Sequence, residues 1–155
     1  MEIALKALRY TTLFLILLTL AGCGSYTLQG RVIRGDMSLA TFVKPDDARL
    51  NAEPVSSVQI TVYRDPDKLS SKLEGRAVSA TDGSFEIDLS GFGTGWMEEQ
   101  WLVEASRTRY RNAAWIGSLT STHRERVLLI MLAPGDATPT REDDNLLKQY
   151  EQFRY

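Results

Sequence analysis

The chain has 155 residues, a formal charge of −2, 43% hydrophobic and 25% charged residues, one cysteine and one histidine. That length accommodates a single hydrophobic core, and the near-neutral charge excludes the basic excess of a broad nucleic-acid-binding surface. One cysteine and one histidine exclude an intramolecular disulfide and a multi-thiolate zinc site.

Lys6 and Arg9 precede an apolar run from Thr11 to Leu20, which ends in the small residues Ala21 and Gly22. A basic start, about ten apolar residues and a small-residue end form the layout of a secretory signal peptide. The run is short for a membrane-spanning helix, which needs about 20 apolar residues, and no basic stop-transfer cluster follows it. Leu20-Ala21-Gly22-Cys23 resembles the lipobox of bacterial lipoproteins. The resemblance implies cleavage before Cys23, a thioether-linked diacylglycerol on its sulfur and acylation, as palmitate, of the new amino terminus. The competing reading is an ordinary cleavage site beside an ordinary cysteine. Two or three acyl chains, at about 0.8 kcal/mol per buried methylene, hold a protein stably on a membrane. Gly24 rather than Asp follows the cysteine, which in a two-membrane bacterium implies the outer membrane, facing the periplasm.

Removing the first 22 of 155 residues leaves 133, with 16 basic and 19 acidic side chains once Glu2, Lys6 and Arg9 are gone. With Cys23 lipidated no thiol remains, so the domain rests on its core without disulfide staples. Residues 23–27 read as a lipidated terminus and linker.

From Tyr26 onward the dominant period is two. Tyr26–Ile33 and Val58–Arg64 alternate apolar and polar residues. Met37–Val43 offers an extra edge strand ended by Lys44-Pro45. Arg76–Thr81 and Ser84–Leu89 flank Asp82-Gly83, a strong short hairpin signal. Trp101–Arg107, Tyr110–Gly117 and Arg126–Leu132 supply three more strands. Seven strands in roughly a hundred residues predict an all-β, antiparallel sandwich, and no crossover helix supports an α/β alternative. Asp65–Gly75 opens on the turn signature Asp-Pro-Asp. Ser90–Trp96 is glycine-rich but opens no helix and lacks a Lys-Ser or Lys-Thr pair, so it reads as an inter-strand connection rather than a phosphate loop. Beyond Asp136 the chain turns polar. Thr140-Arg-Glu-Asp143 then forms a capping box, and Leu146, Leu147, Tyr150 and Phe153 share one helical stripe. Residues 136–155 are thus expected to be a polar linker and an amphipathic helix, docked on its own domain or on another protein.

Residues 28–135 resemble the carboxypeptidase regulatory-like domains, seven-stranded sandwiches of the transthyretin-like type. The resemblance rests on Leu28-Gln-Gly-Arg-Val32, Pro54-Val-Ser-Ser-Val-Gln-Ile-Thr-Val-Tyr63 and Thr81-Asp-Gly-Ser-Phe85. The chain departs from the pattern at Ser57, where the family has Gly, and in its tighter Asp82-Gly83 turn. Such modules are typically non-catalytic, so the resemblance implies binding rather than chemistry.

The candidate sites agree with that implication. Ser121 and His123 lack a nucleophile elbow and an oxyanion-hole segment, so they read as a polar turn rather than as part of a hydrolase. Asp46, Asp47, Asp65, Asp67 and Asp82 do not form an Asp-x-Asp-x-Asp-Gly calcium loop and suit turns. Arg107, Arg109 and Arg111 alternate, so an extended chain sets them on one face. That face is either a solvated strand surface or a stripe for anionic headgroups or an acidic partner. Trp96, Trp101 and Trp115 are either core aromatics or a sugar-stacking platform. The expectation is a lipid-anchored, non-catalytic envelope protein without metal or cofactor, which binds another envelope protein. Candidate contacts are Arg107, Arg109, Arg111, Trp96, Trp115, Leu146, Tyr150 and Phe153. Alternatives are a carbohydrate-binding module and a transthyretin-like lipoprotein of a secretion machine.

Overall fold

In a computed structural model of the chain, the structure describes residues 26–68, 71–89 and 99–136. They form two four-stranded sheets. The strands are β1 (Tyr26–Arg34), β2 (Leu39–Val43), β3 (Gln59–Arg64), β4 (Lys72–Val78), β5 (Ser84–Leu89), β6 (Trp101–Ser106), β7 (Ala113–Gly117) and β8 (Val127–Leu132). One sheet has the order β2-β8-β1-β5, the other β4-β3-β6-β7. β4 meets β5 along one side of the pair and β2 meets β7 along the other, so an all-β sandwich surrounds one core.

Alternation decides which side chains enter that core. Phe85, Ile87 and Leu89 of β5 are buried while Glu86 and Asp88 face out. From the facing sheet Ile60, Val62, Trp101, Val103 and Ala105 join them, with Leu28, Val32, Leu128, Ile130 and Leu132 from the centre of the first. Gly30 has a steric role, since a Cβ there would lie 2.1 Å from the Phe85 ring and 2.7 Å from the Leu128 carbonyl. A second, smaller cluster of Ile33, Val43, Leu50 and Leu129 lies on the outer face of the first sheet. Leu50 reaches it from a short 3-10 turn, Ala48–Asn51, capped by the Asp47 carboxylate.

Four expectations are corrected. The described residues hold eight strands rather than seven, because Leu39–Val43 pairs with β8 as an edge strand. The sandwich is not wholly antiparallel, since β1 and β8 run parallel, with Gly30 opposite Leu128. The cause is topological: a second 3-10 turn, Ser121–Glu125, carries the chain between the sheets and delivers β8 beside the start of β1. Asp82-Gly83 does not close a hairpin, because β4 pairs with β3 whereas β5 pairs with β1. The chain changes sheet there because buried Ser79 is fixed to the segment before β3. Its hydroxyl accepts from the Val58 N–H and donates to the Val55 carbonyl, both at 2.9 Å. Gly83 then accepts from the Val32 N–H at 2.8 Å, at φ +79°. Finally, β3 is buried on both faces, with Thr61 and Tyr63 only 6% and 9% exposed. Strict alternation would leave both in water, but β3 is a central strand and Thr61 stands between Arg76 and Glu104 in register.

Strand directions give the sandwich two distinct ends. β1 begins at one end with Tyr26, beside Lys44, Leu89 and the second 3-10 turn; this is the proximal end. It finishes at the distal end, with the Ser79–Gly83 turn, the β6–β7 connection and Ala133–Gly135. At about 3.3 Å per residue, the nine residues of β1 separate the two by roughly 26 Å.

Candidate functional site

At the distal end, the β6–β7 connection is a tight turn rather than an extended strand, so Arg107, Arg109 and Arg111 do not share one strand face. The Tyr110 N–H donates to the Arg107 carbonyl at 3.1 Å, and the Arg107 guanidinium lies 5.4 Å from the centre of the Tyr110 ring. Arg109 stands exposed at φ +70°, in the left-handed region that a non-glycine residue occupies at a cost. Neighbouring backbone holds it there. The Gly135 N–H donates to the Arg109 carbonyl at 3.0 Å and the Arg111 N–H donates to the Ala133 carbonyl at 2.9 Å. The Ser38 hydroxyl donates to the Arg111 carbonyl at 2.7 Å and accepts from the Ala133 N–H at 3.1 Å. The three arginines therefore ride on one braced basic turn.

At the proximal end, His123 packs against Phe42 and Trp115 in an edge-on trio, with ring centres 4.5, 5.0 and 5.9 Å apart. Its Nδ1 accepts the Thr120 N–H at 3.0 Å, which leaves the ring proton of the neutral form on Nε2. Burial, then the nearby charge of Arg126, holds its pKa below the usual histidine range. The histidine thus caps and packs its own turn. Ser121 and His123 share that five-residue turn, Ser121 at its first position.

Around this turn lie two open clefts. The smaller, about 250 Å³, is lined by Tyr26, Thr27, Gln29, Arg124 and Arg126. The larger, about 600 Å³, is lined by Lys44, Pro45, Asp46, Ser121, Thr122, Glu125 and Arg126. Burial raises the pKa of the Tyr26 phenol, with Arg124 acting in the opposite direction.

The aspartates are dispersed in separate turns. Asp47 receives the Arg49 guanidinium and backbone N–H, and the Arg49 side chain, acting first, lowers its pKa to about 2. Asp65 is paired with Lys68 at 2.8 Å, and Asp82 accepts from the Ser84 N–H and hydroxyl. Among the described residues no group of three His, Cys, Asp or Glu is placed to hold a metal ion. Trp101 is 1% exposed and belongs to the core, and Trp115 is half-buried against Phe42. Leu20, Ala21, Gly22, Cys23, Trp96, Leu146, Tyr150 and Phe153 lie outside the described residues. No helix among the described residues is long and apolar enough to cross a membrane.

Sequence reasoning missed an ion cluster on the second sheet. Glu74 is the extra residue of a β-bulge opposite Val62/Tyr63, and its side chain is 2% exposed. The Arg64 guanidinium reaches it at 2.9 Å and the Lys72 ammonium at 3.2 Å, while Arg64 also meets Glu99 at 3.3 Å. The available signal was Glu74-Gly75: a Cβ on Gly75 would lie 2.4 Å from Ile87, so a close approach occurs there.

No family model and no curated protein matches the chain. Among solved structures it is similar to part of a 9R-lipoxygenase from Cyanothece PCC8801, at 14% identity and a TM-score of 0.35. The likeness covers 74% of this chain and 16% of the lipoxygenase, and at that score it carries no argument about fold or function.

Proposed function

We propose that the protein is a lipid-anchored, non-catalytic component of the bacterial envelope whose sandwich binds another envelope protein. On this reading Cys23 carries the lipid, and the sandwich is of the transthyretin-like, carboxypeptidase regulatory-like type. The observation that carries the reading is the basic turn at Arg107–Arg111. A left-handed, exposed Arg109 costs stability, yet hydrogen bonds from Gly135, Arg111 and Ser38 fix the turn around it. Strain held at an exposed position motivates a functional role, and three guanidinium groups on a preordered turn suit an acidic protein surface. The turn lies at the end remote from Tyr26, so a chain tethered through Cys23 points it away from the membrane.

Two experiments test this. Cys23→Ser is expected to abolish palmitate incorporation and release the protein from membranes; unchanged membrane association refutes the anchor. A photoreactive residue at Thr108 in native envelopes is expected to capture one protein, with capture lost on Arg109→Glu. Capture that survives charge reversal, or that occurs equally from Thr122, removes the basic turn from the interface.

A further inference from the structure

From the proximal cleft we infer a second contact with the membrane: Arg124 and Arg126 dock this end of the sandwich onto the phosphates of anionic phospholipids. The inference rests on the lipid anchor proposed above and adds an orientation to it. Cys23 precedes Tyr26 by three residues, a span of at most about 11 Å when fully extended. The beginning of β1 therefore cannot lie far from the surface holding the lipid. The cleft at that point is lined by both exposed guanidinium groups and the polar side chains of Tyr26, Thr27 and Gln29. Among the described residues no carboxylate lines it. Asp88 and Glu86 accept hydrogen bonds from two of its lining side chains, Thr27 at 2.7 Å and Gln29 at 3.2 Å. Asp46 and Glu125 line the larger neighbouring cleft together with Lys44, and Arg126 borders both clefts.

Guanidinium forks match phosphate oxygens in pairs. Near an anionic leaflet each basic side chain contributes about 1 kcal/mol, so losing both arginines shifts the docked population roughly 30-fold. The turn that presents them is stiffened by the His123, Phe42 and Trp115 trio and by the Tyr26 hydroxyl, which lies 3.3 Å from the His123 carbonyl. The site is thus partly ordered before it meets lipid.

The test uses the full lipidated protein in vesicles of phosphatidylcholine alone or with added phosphatidylglycerol. Single cysteines replace Thr122, beside the cleft, or Thr81, at the distal end; the lipidated Cys23 sulfur cannot compete for label. With phosphatidylglycerol, Thr122→Cys is expected to react several-fold more slowly with a water-soluble maleimide than on phosphatidylcholine, while Thr81→Cys reacts equally on both. The double variant Arg124→Gln, Arg126→Gln should restore fast labelling with palmitate incorporation unchanged. Palmitate present but Thr122→Cys equally reactive on both vesicles overturns the docking and leaves the anchor standing. Protection that persists in the double variant also overturns it. Absence of palmitate overturns both readings.

Discussion

The two ends of the sandwich are built by different means. The distal end is fixed by backbone: Gly83 at φ +79°, Arg109 at φ +70° and two serine hydroxyls, Ser79 and Ser38, each bridging a pair of main-chain groups. The proximal end is fixed by side chains, with an aromatic trio, two open clefts and the Arg64–Glu74 ion cluster. Backbone restraint yields one fixed shape, which suits a partner of fixed shape. Long side chains around open clefts can adjust to a surface that has none, such as a lipid leaflet.

The contrast can be broken in order of expected cost. Gly83→Ala places a Cβ 2.3 Å from the Val32 carbonyl at a positive φ, and should destabilise by roughly 3 kcal/mol. A urea midpoint nearly unchanged would show the distal end to be pliable. Ser79→Ala leaves the Val58 N–H and Val55 carbonyl without their buried partner and should cost about 2 kcal/mol, read from the same curves. His123→Ala at the proximal end should cost about 1 kcal/mol through lost ring packing. If it cost more than the distal substitutions, the ranking of the two ends would reverse. Arg109→Gly should be neutral or stabilise by up to about 0.5 kcal/mol, because relief of left-handed strain outweighs the added freedom of the unfolded chain. Partner capture should nevertheless fall, which would separate function from stability at that turn.

Titration separates the histidine from the carboxylates. The folded pKa of His123 lies below its unfolded value of about 6.5. As pH falls below that value the unfolded chain takes up the proton first, so the histidine's contribution is full above pH ~6.5 and is lost as pH falls through the folded pKa. Thermal melts should show this decline, and His123→Gln should remove it. A second decline begins below about pH 4, because Asp47, Asp65 and Asp82 have lowered pKa values. Their contribution is present above the unfolded carboxylate value and lost as pH falls through the folded one. His123→Gln should leave that decline in place.

Much of the architecture was legible in the sequence because burial on one face imposes period two. Phe85, Ile87 and Leu89 sit on the core face with their polar neighbours outside. What could not be read was pairing. Asp82-Gly83 has the composition of a hairpin turn, but the buried Ser79 hydroxyl, bonded to Val58 and Val55 at 21 and 24 residues' separation, decides that β5 leaves β4 and joins β1. The arginines Arg107, Arg109 and Arg111 alternate as a strand would, yet contacts from Ser38 and Gly135 fold them into a turn. The proximal cleft was equally hidden, because Tyr26 and Arg124 come together only through the parallel pairing of β1 with β8. Long-range partners set all three, and local composition does not record them.

That parallel pairing has a mechanical consequence. β1 lies inside its sheet, bonded to β8 on one side and β5 on the other. Tension applied between Tyr26 and the distal turn runs along β1, nearly perpendicular to its hydrogen bonds with β5. Extracting the strand requires both ladders to slide at once, since neither can open one bond at a time. A sandwich pulled between a lipid at Cys23 and a partner at Arg109 would therefore be loaded in shear, the direction in which a β-sheet resists force best.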